Sequence, residues 1–313
     1  MTNDVLAPTG LYGSGPIWRR GFVLVAVLWV IVLLSAIGAS FAKNAWTESR
    51  IVRNHSYSAE AEALADGGIY RGVLELLHAS GDEPWRTDGT PYSIDESGGT
   101  IIVSLQDENG KIDLNRGSEK VLTNLLRITG LDDNGAQSLA NRIFDFRDLD
   151  DDTRPSGAET QEYRAAGRED GPKNHNFEAV DELLRVPGIT PDIYERIRPF
   201  VTIHSNHLAF NPNSAPREVL LAQPNADSDL VDDALIERTQ SEHSASINAL
   251  SFASGSEVGA AMVTGSVFTI RADATAIHGA GFIREALIAL APQDARPYRI
   301  LYWTRHLRPD AVD

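Results

Sequence analysis

The residues best equipped for chemistry lie mid-chain, in Asp148-Leu-Asp150-Asp-Asp152-Thr-Arg-Pro-Ser-Gly-Ala-Glu159. Their carboxylates fall at positions 1, 3, 5 and 12 of a loop. That spacing lets short acids ring one face of a turn while a longer Glu closes the shell. Calcium takes six to eight oxygens, and crowded carboxylates without a cation repel one another. Two residues depart from the pattern: Thr153 replaces the glycine of the sharp turn, and Pro155 is foreign to such a loop. No partner helix is evident directly after Glu159. Asp148, Asp150, Asp152 and Glu159 are thus candidate Ca2+ ligands, with Tyr163, Asp170 or backbone carbonyls available to complete the shell. The alternative is a solvated acidic loop.

Other constellations are weaker. Asp107-Glu-Asn109-Gly110 begins like a calcium loop, but no ligand follows at the closing position, and Asn-Gly between strand-like residues predicts a tight hairpin. His204 and His207 lack a third ligand and read as a surface loop. Glu159 and Glu162 could serve a membrane-anchored hydrolase only if they lined a substrate-shaped cleft. The chain has no G-x-S-x-G, no H-E-x-x-H, no P-loop and no cysteine, so no enzyme is expected. With 28 Lys+Arg against 44 Asp+Glu the net charge is −16, a poor match for a nucleic-acid backbone.

The other reactive point is a peptide bond. Trp18-Arg19-Arg20-Gly21-Phe22 opens a run from Phe22 to Phe41 without a charge. About twenty helical residues rise roughly 30 Å, the thickness of a bilayer core. A secretory signal would be cut after the run, among Ser35, Ala36, Gly38, Ala39 and Ser40. A plain signal anchor would not be cut. In the third reading, cleavage falls between Gly21 and Phe22, before the helix, which stays on the mature chain. Basic leader, Gly and then Phe resemble the type IV pilin and pseudopilin family. Arg19-Arg20 favour a cytoplasmic N-terminus, and Lys43 and Trp46 suit the far interface.

Helix-compatible sequence continues to about His78, with Ile51, Ala59, Leu64, Ile69, Val73, Leu74 and Leu77 as a broken apolar stripe and Gly67-Gly68 as a weak spot. Ser80–Pro84 and Thr87–Pro91 read as turns. Strands are expected at Thr100–Gln106, Ser266–Ala276, Gly281–Ala291 and Arg299–Trp303. Ser118 should cap a helix to Ile128, and Asp132 or Asp133 one to Arg147. Phe177–Arg185 and Pro191–Arg198 should form two more, joined by a Pro-Gly hairpin. Helix-hairpin-helix units of this kind can bind DNA phosphates, which keeps a membrane-anchored DNA-uptake protein as the alternative. The other reading is a helical pair used for packing.

In order, the Arg-Arg-Gly-Phe leader, D-E-N-G-K-I-D-L-N from Asp107, the acidic loop ending G-A-E-x-x-x-Y, F-x-x-V-D-E-L-L-R-V-P-G-I-T from Phe177 and Asn211-Pro-Asn-Ser-Ala215 resemble the K-type minor pseudopilins of type II secretion. The resemblance implies an α+β pseudopilin fold: a long N-terminal helix on a small antiparallel sheet, with a large, mostly helical insertion. It divides the chain into a leader (1–21), a transmembrane and packing helix (22–80), an α/β body (81–115 and 240–313) and an insertion (116–239). It implies calcium in the insertion, carried here by Asp148, Asp150, Asp152 and Glu159, and N-methylation of Phe22 after cleavage. It also implies an inner-membrane, single-pass protein with a periplasmic C-terminal domain. Its partners would be I-type and J-type minor pseudopilins, the prepilin peptidase and the inner-membrane secretion platform. Most pilins carry Glu at the fifth mature position. Here that position is Ala26, which fits a subunit with nothing ahead of it in the fibre.

Overall fold

The structure, a computed structural model, describes residues 18–78, 84–207, 210–240, 266–291 and 294–306. Residues 1–17, the Ser80–Glu83 turn and residues 241–265 lie outside the described residues, as do the side chains of Arg19, Arg20, Lys43 and Trp46. In chain order the elements are α1 (Trp18–Leu77), β1 (Asp88–Glu96), β2 (Gly99–Asp107), β3 (Ile112–Asp113), α2 (Glu119–Ile128), α3 (Asp133–Arg147) and α4 (Thr160–Ala165). There follow α5 (Pro191–Ile197), β4 (Val201–Thr202), α6 (Arg217–Leu221), α7 (Ser228–Gln240), β5 (Val267–Ala276), β6 (Gly281–Leu290) and β7 (Tyr298–His306). The chain divides into two units, residues 1–57 and 58–313.

In the first unit, Phe22–Ser40 of α1 is long and apolar enough to cross a membrane, and none of it is buried. Phe22, Leu24 and Trp29 are each more than two-thirds exposed, an arrangement that water penalises and lipid does not.

The second unit holds a mixed architecture, an antiparallel sheet ordered β1-β2-β5-β6-β7 with helices. The α1 residues from Ser58 onward cover one sheet face. The buried stripe is Ala61, Ala65, Gly68, Ile69, Gly72, Val73 and Leu76, at helical spacing. This differs from the stripe read from large residues, since Leu74 is 45% exposed and Ala59 is also exposed. The reason is distance. A Cβ on Gly68 would sit 2.8 Å from both Ala272 Cβ and Ile101 Cγ2, and one on Gly72 would sit 3.0 Å from Leu105 Cδ2. Gly68 is therefore a close-approach residue, while Gly67 faces open space. Arg284 of β6 adds an ionic tie, with Nε 2.6 Å from Asp66 Oδ1 and Nη2 2.7 Å from Glu62 Oε1.

Two expectations fail at the sheet edge and exit. The Thr87–Pro91 turn is instead the start of β1, an edge strand bulged between Asp88 and Pro91, where proline removes no needed donor. Asn109-Gly110 is no hairpin. Glu108–Gly110 form a 3-10 turn capped by Asp107, and the chain runs on into β3, which pairs in parallel with β4. The second oxygen of Asp107 accepts from Asn211 Nδ2 at 3.1 Å, the Asn211 N–H donates to the Asn109 carbonyl at 2.7 Å, and a Cβ on Gly110 would collide with the Ser214 backbone.

The remaining helices form a lobe between β2 and β5 with its own core, including Leu125, Ile143, Phe146, Leu183 and Ile197. Ser118 and Asp132 cap α2 and α3 as expected. Phe177–Arg185 does not start as a helix. Asn115 takes the Phe177 N–H at 2.7 Å and donates to its carbonyl at 2.9 Å, so the groups that would open a helix there are used, and only Val180–Arg185 winds, as a 3-10 turn. Helices α4, α6 and α7 are additions to the sequence reading.

The glycine pair gives a direct test of the helix–sheet contact. Gly67→Ala should stabilise the second unit by about 0.5–1 kcal/mol through helix propensity. Gly68→Ala should destabilise it by about 1–3 kcal/mol through overpacking. Denaturant unfolding of the chain from Ser58 onward measures both, and equal effects would remove the close-approach explanation.

Candidate metal centre

The acidic loop joins α3 to α4, so a helix does follow it at once. Its second half is laid against α3. Ser138 Oγ donates to the Ser156 carbonyl at 2.8 Å, and Asn141 Nδ2 to the Pro155 carbonyl at 2.8 Å. Asp145, fully buried on α3, accepts at Oδ2 from the N–H of Ala158 at 2.8 Å and of Arg154 at 3.3 Å. A Cβ on Gly157 would collide with that oxygen, so the glycine allows the loop to close over the carboxylate. The sharp turn lies at Pro155-Ser156, with Ser156 at φ 58°, later than the Thr153 position of the calcium-loop pattern. It is built by Asp145, which the sequence reading did not single out.

The loop brings acids together with fewer partners than they have oxygens. Glu159 is 4% exposed; its side chain faces the Glu162 N–H in a reciprocal capping box, but neither carboxylate oxygen makes a full hydrogen bond. Glu162, which reaches back to the Glu159 N–H at 2.9 Å, serves as the helix cap rather than as half of a hydrolytic pair. Asp148 Oδ1, Asp145 Oδ1, Asn174 Oδ1 and the Tyr163 hydroxyl are likewise buried and without hydrogen bonds. Asn174 is drawn in by donating Nδ2 to Asp151 Oδ1 at 2.9 Å. Buried polar atoms left this way are rare and expensive.

The electrostatics follow from that geometry. Burial, then Asp145, Asp148, Asp151 and Asp150 in turn, push the Glu159 carboxyl up to about 7. Burial and the charges of Asp150 and Asp145 raise Asp148, and burial raises Asp145 against the pull of its N–H partners. Burial raises the Tyr163 phenol. Three of the four expected ligands, Asp148, Asp150 and Glu159, therefore share one field. Asp152 is exposed, and its N–H donates to Asp150 Oδ1 at 3.0 Å. Asp170 is exposed. Among the described residues no three acidic or imidazole groups already stand at ligating spacing. The donor set is nevertheless hard, oxygen-only and only partly compensated, by Arg154, which fits calcium.

Elsewhere among the described residues, Asp113 and Glu108 are buried acids that are satisfied. Asp113 accepts from the N–H of Asn115 (2.7 Å) and Asn206 (2.9 Å) and from Ser205 Oγ (2.9 Å). Glu108 is held below its ordinary range despite burial, because Lys111 Nζ lies at 2.6 Å. His204 lies half-buried in a groove beside Lys111 and Arg198, and burial lowers its pKa. His207 is exposed. At the Pro187-Gly188 turn Pro187 is buried and Gly188 is exposed. Arg142 Nη1 donates to the Pro187 carbonyl at 3.1 Å, with Val186 and Ile189 buried beside it, so this backbone is engaged in packing.

Comparison with known proteins now bears on the whole chain. Residues 102–206, from β2 through the loop to the residues after β4, match the family model described as type II secretion system protein K. A putative type II secretion system protein K of Escherichia coli K12 is 25% identical over 216 residues, covering 62% of this chain and 66% of the relative. The type II secretion system protein K of Pectobacterium carotovorum is 24% identical over 206 residues, covering 58% and 62%. The chain thus spans just under two-thirds of the length of these curated relatives. A chain in the crystal structure of the GspK-GspI-GspJ complex from enterotoxigenic Escherichia coli superimposes with a TM-score of 0.54 at 18% identity, over 85% of this chain and all of that one. That likeness speaks to the fold, and the matched segment speaks to descent. Together, the matched segment, the curated relatives and the shared fold support a GspK-like minor pseudopilin, similar to the type II secretion system protein K family.

Proposed function

We propose that this chain is a non-enzymatic subunit at the tip of the type II secretion pseudopilus, where it starts or caps the fibre that drives export of folded proteins. The observation that carries the reading is Ala26. It sits in an exposed apolar helix at the position where pilin subunits place a glutamate. A carboxylate at membrane depth needs a partner, and in pilins that partner is the N-terminal amine of the next subunit. Without it, the chain makes no such contact onto a subunit ahead. The helical lobe between β2 and β5 adds support, because its bulk would crowd a repeating shaft. The solved relative is described in complex with GspI and GspJ, which favours I-type and J-type minor pseudopilins as neighbours. In this reading the prepilin peptidase cuts between Gly21 and Phe22, Phe22 is N-methylated, and the protein sits in the inner membrane, N-terminus inside, against the secretion platform.

The acidic loop is a structural calcium site in the same reading. Glu159, Asp148 and Asp145, with Asp150, Asp151 and the Asn174 carbonyl oxygen, would hold the ion. The unpaired, buried oxygens of Glu159 support this most strongly. The ion would supply the positive charge that these carboxylates lack.

Mass spectrometry of the protein made with its peptidase should find a mature chain starting at N-methylated Phe22. A start after Ala39, or an intact leader, would overturn the pseudopilin processing. Because the chain has no cysteine, a single Val30→Cys reports alone. Crosslinking in assembled fibres should join it to other pseudopilins, whereas a homodimer as the main product would rule out a tip position.

The loop has a pH signature. Folded Glu159 holds its proton to about pH 7, while the unfolded chain releases it near 4.5. Its contribution to stability is complete below about 4.5 and is lost as pH rises through about 7. In calcium-free buffer Glu159→Gln should match wild type near pH 4.5 and exceed its stability at pH 8 by on the order of 3 kcal/mol. Millimolar calcium should raise the Tm of wild type at pH 8 well above its effect on the variant. No calcium shift in wild type would sink the metal reading.

A further inference from the structure

The acidic loop carries its own cation. Arg154 lies inside the stretch that bears the acids, and its guanidinium reaches into them. Nε stands 3.3 Å from Asp145 Oδ1 and Nη2 stands 3.7 Å from Asp148 Oδ2. Nη1 lies 3.5 Å from Glu119 Oε2 on α2, a carboxylate about 40% exposed. The guanidinium also sits 5.2 Å from the Phe144 ring. Arg154 Nε is buried yet makes no hydrogen bond, so the contacts to Asp145 and Asp148 are charge pairing at loose distance rather than a formed bidentate clamp. Glu159, buried with both oxygens orphaned, is not among the acids that pair with it. One cation is spread over part of a cluster that has several negative charges.

Both oxygens of Asp145 are thereby accounted for. Oδ2 is spent on the Ala158 and Arg154 N–H groups, so it shapes the loop. Oδ1 is left for a charge, and Arg154 supplies it. A divalent ion drawn to the same oxygens would meet a guanidinium already there, and two cations at that spacing repel. Glu119 offers the arginine a second carboxylate on the outer side. Because Arg154 is tethered in the loop, moving toward Glu119 requires only side-chain rotation.

We propose that Arg154 is a tethered counter-ion that competes with calcium for Asp145 and Asp148, and that on calcium binding it gives up those two carboxylates and keeps Glu119 alone. The proposal rests on the calcium reading above and adds a regulator to it. Arg154 stabilises the empty loop, lowers its affinity for the ion, and turns ion loading into a tightening of the contact that the loop already makes to α2 through Glu119.

Calorimetric titration of calcium into the full chain in detergent tests this at pH 8. Arg154→Gln should bind calcium about tenfold or more tightly than wild type, consistent with removal of a like charge a few ångströms away. Its calcium-free Tm should fall, while its calcium-saturated Tm should stay near wild type. Arg154→Lys should restore most of the wild-type affinity, and Glu119→Gln should weaken calcium binding by leaving the arginine no second carboxylate. If wild type binds calcium and Arg154→Gln binds equally or more weakly, the competition is refuted while the metal site stands. A Tm loss in Arg154→Gln of equal size with and without calcium would make Arg154 a plain structural residue. If wild type itself takes up no calcium, both the site and its regulator fall.

Discussion

The second unit depends on how closely α1 lies against the sheet. Gly68 and Gly72 face Ile101, Leu105, Ala272 and Ile270 at distances that leave no room for a methyl group. Close approach lets the Ile and Val side chains of β2 and β5 fill the gap that a larger helix residue would hold open. The sheet's apolar face is thereby sealed by helix backbone as much as by side chains. Arg284 reinforces the seam, pairing with Glu62 and Asp66 while stacking near Trp303. Since the ends of β2 and β5 carry the lobe, the placement of the lobe follows from that seam.

The lobe can be large without disturbing the sheet because of where it enters. β2 and β5 are antiparallel neighbours, paired continuously from Gly99↔Ala276 to Asp107↔Phe268. The chain leaves the sheet at Asp107 and returns to it at the adjacent strand, so the insertion lengthens a connection between partners that already pair. At its base the lobe is fastened by buried polar contacts: Asp107 to Asn211, Gln106 Nε2 to the Ser214 carbonyl at 2.8 Å, and Arg238 to Asp88 at 3.2 Å. The first two are hydrogen bonds that satisfy buried or half-buried groups, and the third is an ion pair.

Regular features were legible in the sequence, and features that depend on distance were not. Ser118 and Asp132 announced their helices because a cap is a local hydrogen bond. The late strands were readable because β5 alternates buried and partly exposed residues along its length. The helix stripe was misread because hydrophobic size was taken as the marker of burial, whereas a tight helix–sheet contact selects small residues. The Asn109-Gly110 hairpin and the Phe177 helix were overridden by Asn211, more than a hundred residues away, and by Asn115. The first acts through its backbone N–H and the second through its side chain, and in both cases a tertiary bond outcompetes local propensity. In the candidate site, the motif spacing drew attention to Asp148, Asp150 and Glu159 but missed Asp145 and Asn174. These lie outside the loop, and folding alone brings them to it.

Asp145 shows why the loop holds its acids in so unfavourable a state. A loop built only of exposed carboxylates would relieve repulsion by spreading into solvent. Here it cannot spread, because Asp145 Oδ2 binds two of its backbone N–H groups while Ser138 and Asn141 hold two of its carbonyls. The same bonds that close the loop bury Glu159 beside its neighbours and lift its pKa. The folding energy of α3 and its contacts therefore maintains an excess of negative charge that only a proton, Arg154 or a metal ion can neutralise. A proton serves at low pH, the arginine serves in part without reaching Glu159, and a divalent oxygen-seeking ion would be able to engage both oxygens of Glu159 at once.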